Sequence, residues 1–328
     1  PELTLSGLDR GAAAELLASR MPAGTSSLVV EQIIELSQGN PLALIELPRG
    51  LEETEVVREE PLQEPFRVAA SVEREFVRRL AGLPVSTRRA LLVAAACDAG
   101  EQRVLSLALE ALDLDLSSLE PAEGAGLVTI ASAVEFCHPL ARSAIYGAAG
   151  ENERREAHLA LADGADAAGE TGRRAWHLAA AARAPDEEIA SALVVAAESA
   201  RRRGGVWAEA RALERAARLT PERRARARRL ARAGDAARRA GRHERASVLL
   251  EEAVAGDLDA QERAQAQARR AFIAFEQGAY DQGLALMIDG ANELELADPR
   301  AAAILLTNAA TIVQHRLDLP QALSLAER

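Results

Sequence analysis

The sequence predicts a mainly α-helical protein with more than one domain. Its 328 residues exceed one compact core of ordinary size. Alanine, leucine, arginine and glutamate dominate, and all four favour helices. Aromatic residues make up only 3%, which is low for a sandwich or a barrel. We therefore expect helices nearly throughout, with one small β-hairpin.

Residues 1–50 have the pattern of short helices. Asp9 precedes "RGAAAELLASR" as an N-cap, and a second helix runs from Ser26 to a stop at Gly39. Asn40 then caps a third helix, with Pro41 at its first position. This pattern predicts a tight corner between two helices. The acidic stretch 51–65, with two prolines and no clear period, reads as a linker.

Residues 66–150 combine helical spacing with one strand pair. "LVTI" and "VEF" are β-branched or aromatic, and three small residues separate them, which predicts a hairpin. Helices followed by one hairpin describe a winged-helix domain. The predicted helical stretches are "RVAASVEREFVRRLAGL", "PVSTRRALLVAAAC", "QRVLSLALEAL", "LSSLEPAEGAG" and "HPLARSAIYGAA".

Residues 151–328 have only helical patterns, and they repeat. Anchors lie at Gly205, Gly241, Gly278 and Leu317, at steps of 36, 37 and 39 residues. Five positions after each anchor is a small residue, and eight positions after it is a leucine: Ala210, Ala246, Gly283 and Ala322, then Leu213, Leu249, Leu286 and Leu325. A helix, a turn and a helix at this period predict a degenerate tetratricopeptide-like superhelix.

Charge and composition exclude several functions. No lysine occurs, so all 39 basic residues are arginine, against 50 acidic residues and a net charge of −11. Because a phosphate-binding P-loop requires a lysine, we expect no nucleotide-hydrolysing centre and no enzyme activity in this chain. The negative charge argues against a protein that coats nucleic acid. Two cysteines, Cys97 and Cys137, make neither a disulfide framework nor a zinc site.

We also expect a cytoplasmic protein with no membrane partner. The sequence has no signal peptide and no apolar run near the length of a membrane span. Pro1 is not an initiator, and the final "LPQALSLAER" stops inside an amphipathic pattern without a cap. The chain therefore reads as a fragment of something larger.

Four stretches in order resemble one family: "GNPLALIELP", "LPVSTRRALLVAAACD", "EFCHPLARSAIYGAA" with "RREAHLALA", and "RRAWHLAAAARAPDEEIASALVVAAESARRRGG". They are similar to the middle of large ATP-binding LuxR-type regulators of actinobacteria, within the STAND class of signalling ATPases. The resemblance covers most of residues 1–220. It implies that residues 1–50 are a helical, lid-like segment of such an ATPase. It also implies a parent protein with a P-loop core before this chain and a promoter-binding helix-turn-helix after it, both absent here.

The resemblance also implies site residues. In such proteins a Gly-x-Pro motif packs its proline on adenine, and Gly39, Asn40 and Pro41 match that motif. A winged-helix histidine reads the β-phosphate of ADP, and His138 matches it, with Arg142 one turn later. From the residues alone, Gly39–Pro41 is a capped helix corner and His138 a cap before Pro139, although the helix N-terminus there favours an anion. ATP and ADP are thus cofactors of the parent only.

Other candidate sites are weaker. His158, His177, His243 and His315 lack metal-ligand spacing and read as surface or packing residues, and no catalytic group stands out. Residues 221–245 hold ten arginines and a local charge of +7. This basic segment has three possible roles. It could form a groove for nucleic acid, dock onto the acidic stretch 52–64 or onto another subunit, or simply lie on solvated helix faces. The last is favoured because no aromatic residue is interleaved.

The combined expectation is a switch and sensor. An unknown inducer or protein on the repeats would favour an open, ATP-bound state that self-associates and activates transcription. The alternative is a helical-repeat scaffold for proteins without a nucleotide role. Direct DNA binding by the winged helix is weaker still, because its third helix, "LSSLEPAEG", is acidic.

Overall fold

The computed structural model describes residues 7–21, 25, 27–37, 39–49, 79–97, 101–296 and 298–315. The chain divides into two compact units, Pro1–Arg183 and Ala184–Arg328. The described residues are mainly helical, with one two-stranded sheet among them. The predicted mainly α-helical class is therefore confirmed. The predicted linker 51–65 and the predicted helix up to residue 78 lie outside the described residues.

Three helices open the first unit: α1 (Arg10–Ala18), α2 (Ser27–Ser37) and α3 (Pro41–Arg49). As predicted, the Asp9 side chain caps α1 by accepting a hydrogen bond from the Ala12 amide at 2.9 Å. Gly39 joins α2 to α3 with a φ of +75°, and a Cβ there would lie 2.2 Å from the Leu8 carbonyl oxygen. The Leu8 amide donates to the Gly39 carbonyl at 2.7 Å, so only glycine fits this corner.

The next elements form what we call the hairpin subdomain. It contains α4 (Val85–Ala96), α5 (Gln102–Glu110), a 3₁₀ turn (Leu116–Leu119), α6 (Glu120–Gly124), β1 (Val128–Ile130), β2 (Val134–Phe136) and α7 (Pro139–Ala148). The strands pair antiparallel, with Thr129 opposite Glu135, so the predicted hairpin is present. The winged-helix assignment itself stays a prediction.

One predicted helix of this subdomain differs in form. The stretch "LSSLEPAEGAG" is a 3₁₀ turn followed by a five-residue α-helix instead of one continuous helix. Pro121 explains the break, because it has no N–H to donate to the preceding turn. A helix of five residues is also too short to serve as a DNA recognition helix, which weakens the direct DNA-binding alternative.

Two further helices, α8 (Glu151–Ala167) and α9 (Thr171–Ala181), pack together, and α8 packs on α4 and α5. A Cβ at Gly164 in α8 would lie 2.6 Å from the Val104 carbonyl oxygen of α5, so the two backbones are nearly in contact. The compact unit therefore runs past residue 150. The predicted domain boundary there stays a prediction.

The described residues of the second unit form antiparallel helical hairpins, followed by one more helix, that stack in sequence order. Its helices are α10 (Glu187–Arg202), α11 (Val206–Leu219), α12 (Arg223–Arg239), α13 (His243–Val254), α14 (Ala260–Glu276), α15 (Tyr280–Leu294) and α16 (Pro299–His315). Gly204, Gly241 and Gly278 turn the first three hairpins with φ between 74° and 80°. This arrangement is consistent with a tetratricopeptide-like repeat.

The repeated positions are buried where the structure describes them. Ala210, Leu213, Ala246 and Leu249 are at most 1% exposed, and Gly283 is buried, while Leu286 is half-buried. Small residues at these positions let neighbouring helices approach closely. The last predicted repeat, with Leu317, Ala322 and Leu325, lies outside the described residues. Among the described helices, none is both long and apolar enough to cross a membrane.

Candidate functional site

The two predicted nucleotide-reading motifs meet in the fold. Asn40 and His138 are 98 residues apart in sequence, yet Nδ2 of Asn40 lies 3.1 Å from Nε2 of His138. Asn40 precedes α3, and its Oδ1 accepts from the Ala43 amide at 3.3 Å. His138 is the N-cap of α7. We call this meeting point the Asn40–His138 corner.

The cap fixes the chemistry of the His138 ring. Nδ1 accepts a hydrogen bond from the Leu140 amide at 3.1 Å, so the neutral ring carries its proton on Nε2. Nε2 faces the side-chain amide of Asn40, whose Oδ1 accepts from the Ala43 amide.

The surroundings of the corner are electropositive. Burial lowers the pKa of His138, and the nearby charge of Arg79 lowers this pKa further, so the ring is neutral at pH 7. Both α3 and α7 begin at the corner, with Pro41 and Pro139 at their first positions. Helix N-termini carry partial positive charge. A neutral N–H donor between two such ends is suited to an anionic oxygen.

Of the other predicted site residues, one is exposed and two contact other parts of the protein. Pro41 is exposed, and Gly39 is buried beneath Leu8, which fixes the direction of the chain. Arg142 is engaged elsewhere: its guanidinium donates to the Ala95 carbonyl at 2.9 Å and the Cys97 carbonyl at 2.7 Å. It thereby caps the C-terminus of α4. The nucleotide roles of Gly39, Asn40, Pro41, His138 and Arg142 stay predictions.

A second polar cluster was missed by sequence reasoning. His158 and His177, which we expected at the surface or in packing, are each 7% exposed and lie Nδ1 to Nδ1 at 3.2 Å. Tyr146 and Glu101 extend this contact on either side. The four side chains come from four separate elements, so no local spacing could reveal them. Among the described residues, no group of three or more His, Cys, Asp or Glu side chains is arranged to hold a metal ion.

Most arginines of the segment 221–245 form ion pairs. Seven of the ten pair with carboxylates of the preceding or following hairpin. The pairs are Arg229 with Glu187, Arg232 with Glu198, Arg239 with Glu209, Arg245 with Glu214, Arg224 with Asp259, Arg228 with Glu262, and Arg238 with Glu276. These pairs favour the reading as charged helix faces over a groove for nucleic acid.

Comparison with known proteins adds one structural likeness. No protein-family model and no curated protein sequence matches the chain. Among solved structures, the chain is similar to a Signal Transduction ATPase with Numerous Domains protein with a tetratricopeptide repeat sensor from Pyrococcus horikoshii. The identity is 13% and the TM-score 0.31, over all of this chain and 54% of that one. A TM-score this low does not establish a common fold, and the chain spans only about half the length of that protein.

Proposed function

We propose that this chain is the switch and sensor portion of an ATP-dependent LuxR-type transcriptional regulator. In this proposal the hairpin subdomain is a winged helix, and a P-loop core outside the chain holds most of the nucleotide. The Asn40–His138 corner contacts the bound nucleotide on the side opposite the P-loop core. The observation that supports it best is the 3.1 Å approach of Asn40 to His138, which joins two motifs that the family resemblance implies as nucleotide contacts.

The chemistry of the corner suits a diphosphate. Nε2–H of His138 donates to a phosphate oxygen, while Nδ1 stays bonded to the Leu140 amide. A hydrogen bond to a charged group is worth about 1.5–3 kcal/mol, and each helix N-terminus adds about 0.3–1 kcal/mol. Pro41, exposed at the start of α3, is available to pack on an adenine ring. ADP held in this way stabilises the closed state.

The second unit is the sensor in this proposal. An inducer or protein that binds the open state better shifts the population toward it, and the open state binds ATP, self-associates and activates transcription. Promoter DNA is bound by a domain outside this chain. The ion pairs that hold seven of the ten arginines of residues 221–245 are consistent with that division.

The test compares nucleotide retention in the longer parent protein. Wild type is purified beside His138→Ala, Asn40→Ala and the control His243→Ala, and bound ADP is measured after gel filtration. Loss of the His138 hydrogen bond is expected to weaken ADP retention about 10- to 100-fold, which corresponds to 1.5–3 kcal/mol. His243 lies in the second unit beside Glu276, so its replacement is expected to leave retention unchanged. Equal retention in His138→Ala and wild type would contradict the proposal. This chain alone is expected to show no ATP hydrolysis.

A protein-binding scaffold is the second candidate. Phe272 on α14 and Ile304 on α16 are 42% and 54% exposed and are therefore accessible to a bound protein. If the second unit binds a protein there without any nucleotide role, Phe272→Ala with Ile304→Ala abolishes that binding. His138→Ala then leaves both binding and ADP retention unchanged.

A further inference from the structure

A charged cavity lies between α12 and α14 of the second unit. It has a volume of about 350 Å³, and both helices contribute side chains to its wall. On α12 these side chains recur every three or four residues and therefore share one face of the helix: Arg228, Arg232, Asp235 and Arg239. Arg269 faces them from α14. We call this space the α12–α14 cavity.

Two of the four arginines in the wall are firmly held by carboxylates. Arg239 donates a hydrogen bond at 3.1 Å to Glu209, whose side chain is only 8% exposed. Arg228 donates a hydrogen bond from its Nε to Glu262. Both carboxylates are part of the same wall. The charges of these two arginines are therefore balanced within the cavity, and we regard both pairs as structural.

The other two arginines are held more loosely. Arg232 lies 3.9 Å from Glu198, and Nε of Arg269 lies 3.4 Å from Asp235. Neither guanidinium makes a hydrogen bond within the part of the chain that the structure describes. Asp235 already accepts a hydrogen bond from Nε of Arg239 at 3.3 Å. The wall thus holds four arginines against three carboxylates, which leaves one positive charge unbalanced.

We propose that the α12–α14 cavity binds a small organic anion whose carboxylate or phosphate group lies on Arg232 and Arg269. A guanidinium has five N–H donors and pairs with such groups through two parallel hydrogen bonds. The cavity is at the small end of the range for ligand sites, about 300–1,000 Å³, which suits a small molecule better than the surface of a folded protein. The anion is then the inducer of the sensor, and in this respect alone the proposal rests on the proposed function.

The rest of the wall limits what the anion carries. Ala231 and Leu258 are apolar, and Leu258 is only 5% exposed, so they suit a short hydrocarbon. Gln265 is exposed, and its amide is available to a hydroxyl group. Asp235 competes with the ligand for Arg269. Binding is therefore expected to become tighter when the charge of Asp235 is removed.

The experiment is isothermal titration calorimetry on the full chain at low ionic strength, where charge interactions are screened least. The probes are succinate and glycerol 3-phosphate, which present a carboxylate and a phosphate. Their neutral counterparts, succinamide and glycerol, are the controls. We expect saturable binding of one molecule per chain for at least one probe. The neutral counterpart is expected to bind at least about tenfold more weakly, because it cannot form the charge-assisted hydrogen bonds.

Three variants and one matched control assign the binding to the cavity. Arg232→Gln and Arg269→Gln are each expected to weaken it about 10- to 100-fold. Arg223→Gln removes the same charge from the same helix, but Arg223 is exposed and outside the cavity, so binding is expected to stay unchanged. Asp235→Asn keeps an oxygen for Arg239 and is expected to bind the probe more tightly than wild type. Circular dichroism checks that each variant is folded.

The opposite results overturn the proposal. Wild type that binds neither probe contradicts it without any variant. Weakening in Arg223→Gln equal to that in Arg232→Gln means a general charge effect instead of a site. Weaker binding in Asp235→Asn contradicts the competition for Arg269. No nucleotide takes part in these titrations, so their failure leaves ADP retention at the Asn40–His138 corner untouched, and failure of the corner leaves the cavity untouched.

Discussion

Replacing Gly164 by alanine tests the contact on which the first unit depends. Gly164 lies in α8 where it crosses α5, and a Cβ there would be 2.6 Å from the Val104 carbonyl oxygen and 2.8 Å from the Ala108 amide nitrogen. Both atoms belong to helix backbone, which cannot rotate aside as a side chain does. The substitution therefore forces α8 away from α5.

The net effect follows from two opposing contributions. Overpacking of this kind costs about 1–3 kcal/mol, whereas alanine in a helix interior is favoured over glycine by up to about 1 kcal/mol. We expect a net loss of about 1–2 kcal/mol in the free energy of unfolding of the first unit. For a unit of this size that corresponds to a fall of about 3–6 °C in Tm.

The two tryptophans allow a measurement on one unit at a time. Trp176 lies in α9 of the first unit and Trp207 in α11 of the second. In a Trp207→Phe background, tryptophan fluorescence during heating reports the first unit only. Gly124→Ala is the matched control, because a Cβ there meets nothing within 4 Å. Gly164→Ala as stable as its background would refute the close crossing of α5 and α8.

Three further predictions concern the corner and its supports. Gly39→Ala is expected to destabilise the first unit by at least about 1–2 kcal/mol, from its positive φ and the clash with the Leu8 backbone, and the same fluorescence assay measures it. Arg142→Met is expected to lower thermal stability by about 1–3 kcal/mol, since two buried carbonyls at the end of α4 lose their donor; unchanged stability would show that water replaces the guanidinium. Burial lowers the pKa of His138, and the charge of Arg79 lowers it further, so this histidine takes up a proton less readily in the folded protein than in the unfolded chain. The folded protein is therefore expected to lose stability as pH falls below about 6.5. His138→Gln is expected to flatten that part of the stability profile in acid titrations, and an unchanged profile would assign the loss to other groups.

Helix ends were the part of the fold most readable from sequence. Asp9, Asn40 and His138 accept hydrogen bonds from amides two or three positions away, so their spacing alone predicts them. The hairpin was predictable for the same reason, because its two strands are close together in the sequence. The stretch that contains Pro121 was predicted as one continuous helix, because apolar spacing does not reveal that proline has no N–H to donate.

The candidate site was only partly predictable. The motifs at Asn40 and His138 were visible, but their contact depends on how α3 and α7 are brought together across 98 residues. Arg142 shows the same limit, because helical spacing gave its face but not its carbonyl partners on α4. The polar cluster of Tyr146, His158, His177 and Glu101 was not predictable for the same reason, since it exists only where α7, α8, α9 and the start of α5 meet.

The ion pairs of the second unit have a mechanical consequence. Many of them connect neighbouring hairpins, as Arg218 does with Glu252 and Arg270 with Glu251, and apolar side chains pack between neighbouring elements as well. Salt weakens the ion pairs and leaves the apolar contacts nearly unchanged. Neighbouring hairpins are therefore expected to be held less stiffly as ionic strength rises, while their apolar contacts keep the array folded. The stiffness of the array, more than its stability, is then expected to vary with the salt content of its surroundings.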